Sequence, residues 1–193
     1  MSFFDDAPQE VIPVEPEPEM PPWFGPGPDV LPTPLLTRVV LVDNNDAVIV
    51  LDHFQVFPTG LEFSLNLMLR IGLNHRDIPW ELTGPNDAGS DPSFLRLGFS
   101  FSDGSKWTNA PEPMRTHDQE PAGPLLSNRG GGGGGRVWSM RQWLWPLPPA
   151  GDLTFYTAWP AFGVEETSVV IDATPFTDAA AKCRRLWSDQ PAK

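Results

Sequence analysis

LEFSLNLMLRI, residues 61–71, alternates without a break: Leu61, Phe63, Leu65, Leu67, Leu69 and Ile71 on one side, Glu62, Ser64, Asn66, Met68 and Arg70 on the other. Successive side chains of a strand point to opposite faces, so a period of two marks a β-strand with one face in a core and one in water. Residues 95–102 repeat the pattern, with Leu95, Leu97, Phe99 and Phe101 set against Arg96, Gly98, Ser100 and Ser102. Further strands are predicted over 36–42, 47–57, 136–145, 153–159 and 167–171. Turn residues separate several of them, at Asp43-Asn44-Asn45-Asp46, Pro58-Thr59-Gly60 and Asp103-Gly104. Seven or eight short strands with no helices between them predict an antiparallel β-sandwich, with an up-and-down barrel as the alternative.

Outward from these strands the composition changes. The first 36 residues hold ten prolines and seven acidic residues and no Lys or Arg, which leaves too little apolar surface to offset the cost of ordering the backbone. Residues 1–34 are therefore expected to be a disordered acidic, Pro-rich tail, and 35–193 the folded domain. Within the tail, Pro21-Pro22-Trp23-Phe24-Gly25-Pro26 sets two aromatics in a polyproline-biased stretch, a linear motif for a partner's groove or for the domain's own surface. Residues 74–93, with Trp80, read as a polar crossover. Residues 110–135, which end in six consecutive glycines, read as a flexible loop. A helix is predicted over 175–187, capped by Thr174, with Pro175 in its first turn and Phe176, Ala180, Cys183 and Trp187 on one stripe.

A formal net charge of −12 opposes binding to nucleic acid or to anionic membranes, both of which need a basic face. Residues 1–10 lack the basic start and apolar run of a leader, and no stretch reaches the length of a membrane-spanning helix, so a cytoplasmic protein is expected, or one exported by a route without a cleaved leader. The single Cys183 has no partner for an internal disulfide and no zinc spacing around it.

Few residues suggest chemistry. The glycine run is followed by Arg136, Val137 and Trp138 and not by the Lys and Ser or Thr of a phosphate cradle. Asp52 and His53 are strand neighbours expected on opposite faces, hence not a dyad. His75 near Asp77, and His117 beside Asp118, lack a nucleophile or second ligand. Glu165 and Glu166 read as a solvated corner. No catalytic, cofactor-binding or metal residue is assigned, and no cofactor is expected. In residues 137–145, Trp138, Met140, Gln142 and Leu144 share one face and Val137, Ser139, Arg141, Trp143 and Trp145 the other. If the first face is core, Trp143 and Trp145 form an outward aromatic pair suited to a protein or sugar. Otherwise they lie under the terminal helix or in the core.

FLRLGFSFSDGSKW (94–107) and LPPAGDLTFYTAWPAFGVEETSVVID (147–172) together resemble the later strands of bacterial immunoglobulin-like sandwich domains, in which an Asp-Gly hairpin precedes a Pro-Gly turn into an alternating strand. The chain is also similar to uncharacterised proteins of high-GC bacteria, in keeping with its ten Arg against three Lys. The resemblance implies an immunoglobulin-like fold and carries no function. The leading expectation is a non-enzymatic interaction or assembly protein with a protein partner. A carbohydrate- or small-ligand-binding module is the alternative, and a carboxylate-dependent hydrolase the second alternative.

Overall fold

The computed structural model describes residues 20–71, 94–109 and 120–187. Among them the chain is mainly β, with twelve strands in three antiparallel sheets and one α-helix. The largest sheet joins β2 (Thr33–Leu35), β4 (Ala47–Phe57), β5 (Gly60–Leu69), β9 (Val137–Trp145) and β8 (Leu125–Gly134) in that order, and β3 (Val39–Asp43) also pairs with β4. The second runs β11 (Val164–Asp172), β10 (Asp152–Trp159), β6 (Arg96–Ser100), β7 (Lys106–Thr108). The third pairs β1 (Val30–Leu31) with β12 (Arg184–Arg185).

The alternation read in residues 61–69 holds: Leu61, Phe63, Leu65, Leu67 and Leu69 are buried, whereas Ile71 lies past the end of β5 and is exposed. Leu95, Leu97, Phe99 and Phe101 are buried as well, in the same core. The six-stranded and four-stranded sheets meet through this core. Phe63 of β5 lies 6.4 Å, centroid to centroid, from Phe155 of β10, and Phe99 of β6 lies 6.5 Å from the same ring. Each such side chain contributes about 1.5–3 kcal/mol on burial, which is the main term holding the sheets together.

Three boundaries differ from those the sequence predicts. Residues 20–34 are part of the fold and not a disordered tail: Pro21 to Phe24 makes a turn, β1 pairs with β12, and β2 adds to the edge of β4. Residues 1–19 lie outside the described residues, as do 72–93 with Trp80, and 110–119. Within the expected loop 110–135, residues 125–134 are strand β8, antiparallel to β9 with Gly131 opposite Met140 and Gly133 opposite Trp138. Glycine is a poor strand former, so this strand is held by its partner and by a hairpin turn in which Gly135 takes a positive φ of 58°. The predicted helix 175–187 is shorter: α1 spans Thr174–Ala180, with Phe176 packed 5.3 Å from Phe54. Thr174 does not cap it: the Asp172 carboxylate accepts from the Thr174 backbone N–H at 2.9 Å and is held below the usual carboxylate range by that residue, while the Phe176 and Thr177 N–H groups donate to the Ala173 carbonyl. Past α1 the chain pairs with β1, which takes Trp187 off the helical stripe and leaves it exposed.

Candidate functional site

The strongest aromatic feature of the sequence is internal. Trp138, Met140, Gln142 and Leu144 of β9 face the shared core, so Trp143 stands on the outer face of the sheet, yet it is 0% exposed. The cover is the segment 21–27, and neither the terminal helix nor the core provides it. The Trp143 indole N–H donates to the carbonyl of Pro22 at 3.0 Å, and Trp23 meets Trp145 edge-on at 6.0 Å. Arg129 donates to the carbonyl of Phe24 at 2.8 Å, and Phe57 packs edge-on against Trp143 at 5.6 Å. The Trp23-Phe24 motif therefore docks on its own domain, and Trp143 and Trp145 do not form an open platform.

Asp52 and His53 do come together, against the expectation from alternation. A bulge interrupts the β4–β5 register between Asp52 and Gln55, and His53 takes a positive φ of 53°, uncommon for a residue with a side chain. The extra residue turns the ring back, so that His53 Nδ1 and Asp52 Oδ1 are 2.6 Å apart. Asn66 donates to the same carboxylate oxygen at 2.7 Å, and Arg38 Nε stands 3.7 Å from the other. The His53 side chain is 77% exposed, so the cluster sits on an open face. It is a surface network that pins the bulge.

A roomy candidate site lies on the outer face of the four-stranded sheet. Gly98 sits in register with Tyr156 on one side and Thr108 on the other. Its missing side chain leaves a trough of about 650 Å³ lined by Arg96, Ser100, Lys106, Thr108, Tyr156 and Glu166. Tyr156 is 40% exposed, and its hydroxyl lies 3.3 Å from that of Ser100. A Cβ at position 98 would stand 3.1 Å from the Trp107 carbonyl oxygen, so close pairing with β7 also favours glycine there. The signal was available in the alternation of residues 95–102, where Gly98 interrupts the outward face. The partner residues come from distant strands and carry no local signature.

Cys183 is half-buried just beyond α1 and donates its thiol to the Val56 carbonyl at 3.0 Å, beside a cavity of about 340 Å³ also lined by Asp29 and Arg185. Glu165 and Glu166 are exposed on β11, in a strand and not at a corner. His75, Asp77, His117 and Asp118 lie outside the described residues. Among the described residues no three His, Cys, Asp or Glu side chains are gathered to hold a metal, and no helix is long and apolar enough to cross a membrane. Set against family models, curated proteins and solved structures, the chain matches none.

Proposed function

We propose that the chain is a non-enzymatic cytoplasmic interaction protein, an adaptor or assembly component built on an antiparallel immunoglobulin-like sandwich, and that it holds a protein partner in the trough over Gly98. The observation that carries this reading is the half-exposed Tyr156 beside a side-chain-free floor, framed by Arg96 and Lys106 with Glu166 among the lining residues. Tyr and Arg are enriched where interfaces concentrate their binding energy, because each offers a large rigid surface with a polar end. The shallow mixed-charge wall suits a polypeptide, which brings both apolar and ionic groups. A carbohydrate is the second reading, favoured by the Tyr156 ring next to the Ser100 hydroxyl. For a carboxylate-dependent hydrolase the trough offers Glu166 among its lining residues, where such chemistry uses a pair.

The test is capture of a partner from native lysate by the immobilised full chain, compared with Tyr156→Ala, alongside retention on polysaccharides. A hot-spot tyrosine costs about 2 kcal/mol on truncation, so the variant should lose the partner while its melting temperature stays unchanged. Retention on a polysaccharide that Tyr156→Ala abolishes would transfer the trough to the sugar reading. Equal capture by both proteins would remove the trough from the function.

A further inference from the structure

Segment 21–27 sits on its own domain as a ligand sits in a groove. Pro21 to Phe24 is a turn closed by the Phe24 N–H on the Pro21 carbonyl at 2.9 Å, with Pro22 in the second position, where its fixed φ favours the turn. The turn offers four features to the outer face of the six-stranded sheet. The Pro22 carbonyl takes the Trp143 indole N–H, the Trp23 ring meets Trp145, and the Phe24 carbonyl takes Arg129. At Gly25 the Arg129 guanidinium lies 2.9 Å from where a Cβ would stand. The receiving surface is shaped to match. Gly60 is bare where a Cβ would lie 2.7 Å from the Trp143 ring, and Phe57 flanks that ring edge-on. Aromatic-lined grooves take proline-rich segments in this way.

The fit is incomplete. The Trp23 indole N–H is buried with no hydrogen-bond partner among the described residues, and so is the hydroxyl of Ser127, which pairs directly opposite Trp143 and shares its face of the sheet. Buried polar groups of a permanent core are nearly always satisfied, because an unmet one has lost its water and gained nothing. Pro22, Gly25 and Phe57 also line the 340 Å³ cavity beside Cys183, whereas interiors are packed with few voids. Anchorage to the rest of the fold resumes at Asp29, whose carbonyl accepts from the Leu186 N–H at 2.7 Å, and continues in β1 and β2. A change of torsion at Gly27, which has the widest choice, therefore releases residues 20–26 while those strands stay paired.

We propose that the groove of Trp143, Trp145 and Arg129 binds a proline-rich segment of a partner protein, in the order Pro-Pro-aromatic-x-Gly, and that residues 21–27 are its tethered occupant. A partner segment that brings an acceptor for the Ser127 hydroxyl, or fills the cavity, gains what the tethered one lacks. A second copy of the chain gains nothing. Its segment carries the same groups and already has a groove of its own, while association costs freedom of motion. The groove lies on the six-stranded sheet and the trough on the four-stranded one, and neither depends on the other.

The test is an NMR titration of the full chain, labelled at the tryptophan indoles, with an unlabelled capped peptide of sequence MPPWFGPG, that of residues 20–27. Tethering gives the chain's own segment an effective concentration on the order of millimolar, so peptide at several millimolar is expected to displace about half of it or more. The Trp23 indole then moves to the position of a solvent-exposed indole, while Trp143, again holding a proline carbonyl, stays where it was. A scrambled peptide, and one with alanine for tryptophan, are expected to displace none. Trp23→Ala in the chain is expected to tighten peptide binding about tenfold or more, and Tyr156→Ala to leave it unchanged. A Trp23 signal unmoved by the peptide, or moved equally by the scrambled one, overturns the proposal and makes the segment a fixed part of the fold. So does a dimer in sedimentation at the same protein concentration, which would give the groove to a second copy. The titration uses the unaltered chain, so misfolding of a variant cannot imitate these outcomes, and partner capture at the trough is read separately.

Discussion

Trp143 stands on the outer face of β9 and is as inaccessible as the Leu144 beside it, which faces the core. Both of its attachments, the Pro22 carbonyl and the Phe57 ring, are remote in sequence. Replacing Trp143 by Ala should destabilise the protein by about 3–5 kcal/mol, since a large side chain is removed from a closed site, and chemical denaturation measures it. Trp145, partly exposed, should cost clearly less under the same substitution. Equal small losses at both would show that segment 21–27 does not close over the sheet. His53 teaches the complementary point. Alternation forbids its contact with Asp52, and a single residue inserted at the bulge restores it. Period-two reasoning assumes an unbroken ladder, and nothing in the residues 52–55 announces the break.

Strand β8 looks in sequence like a linker and behaves in the structure as the partner of β9. Composition cannot distinguish the two, because a glycine run is extended in either state and only a paired neighbour orders it. Its internal alternation yields a sharp expectation. Gly131→Ala and Gly133→Ala should each destabilise by roughly 1–3 kcal/mol as the new methyl meets the β9 backbone. Gly132→Ala and Gly134→Ala should be neutral or stabilising by about 0.4–1 kcal/mol, because they limit the unfolded chain at open positions. Melting curves of the four variants check it, and four equal values would deny the strand its register. Helix α1 is the opposite case. Pro175 and Phe176 were legible as its start, while its end was hidden, because β12 leaves the helical path to pair with a strand about 150 positions earlier.

For the molecule as a whole, the N-terminal segment is a structural part. The described residues carry twelve acidic and ten basic side chains, so most of the −12 net charge belongs to residues outside them. Acidity and proline content mark residues 1–34 as one tail, but residues 20–34 include β1, β2 and the cover over Trp143. Deleting 1–34 should therefore lower the melting temperature by roughly 10 °C or more, because it uncovers a tryptophan, strips an edge strand and leaves β12 unpaired. An unchanged melt would show that the segment contributes nothing to stability. The trough is likewise a property of the assembled sheet: Arg96, Lys106, Tyr156 and Glu166 converge only through the pairing of β6 with β7 and β10 and of β10 with β11.

The alternation in residues 61–69 and 95–101 was sufficient for a mainly β chain with those faces buried, because burial of apolar side chains selects the face wherever the ladder is regular. Turn residues at Asp43 to Asp46 and at Pro58 to Gly60 likewise placed the strand ends that flank β4, since their backbone preferences are local. The cover over Trp143, the pairing of a glycine run and the Asp52–His53 contact depended on tertiary structure. Each requires a backbone carbonyl, a partner strand or a register shift whose energy comes from another part of the chain, and local pattern carries no record of such a partner.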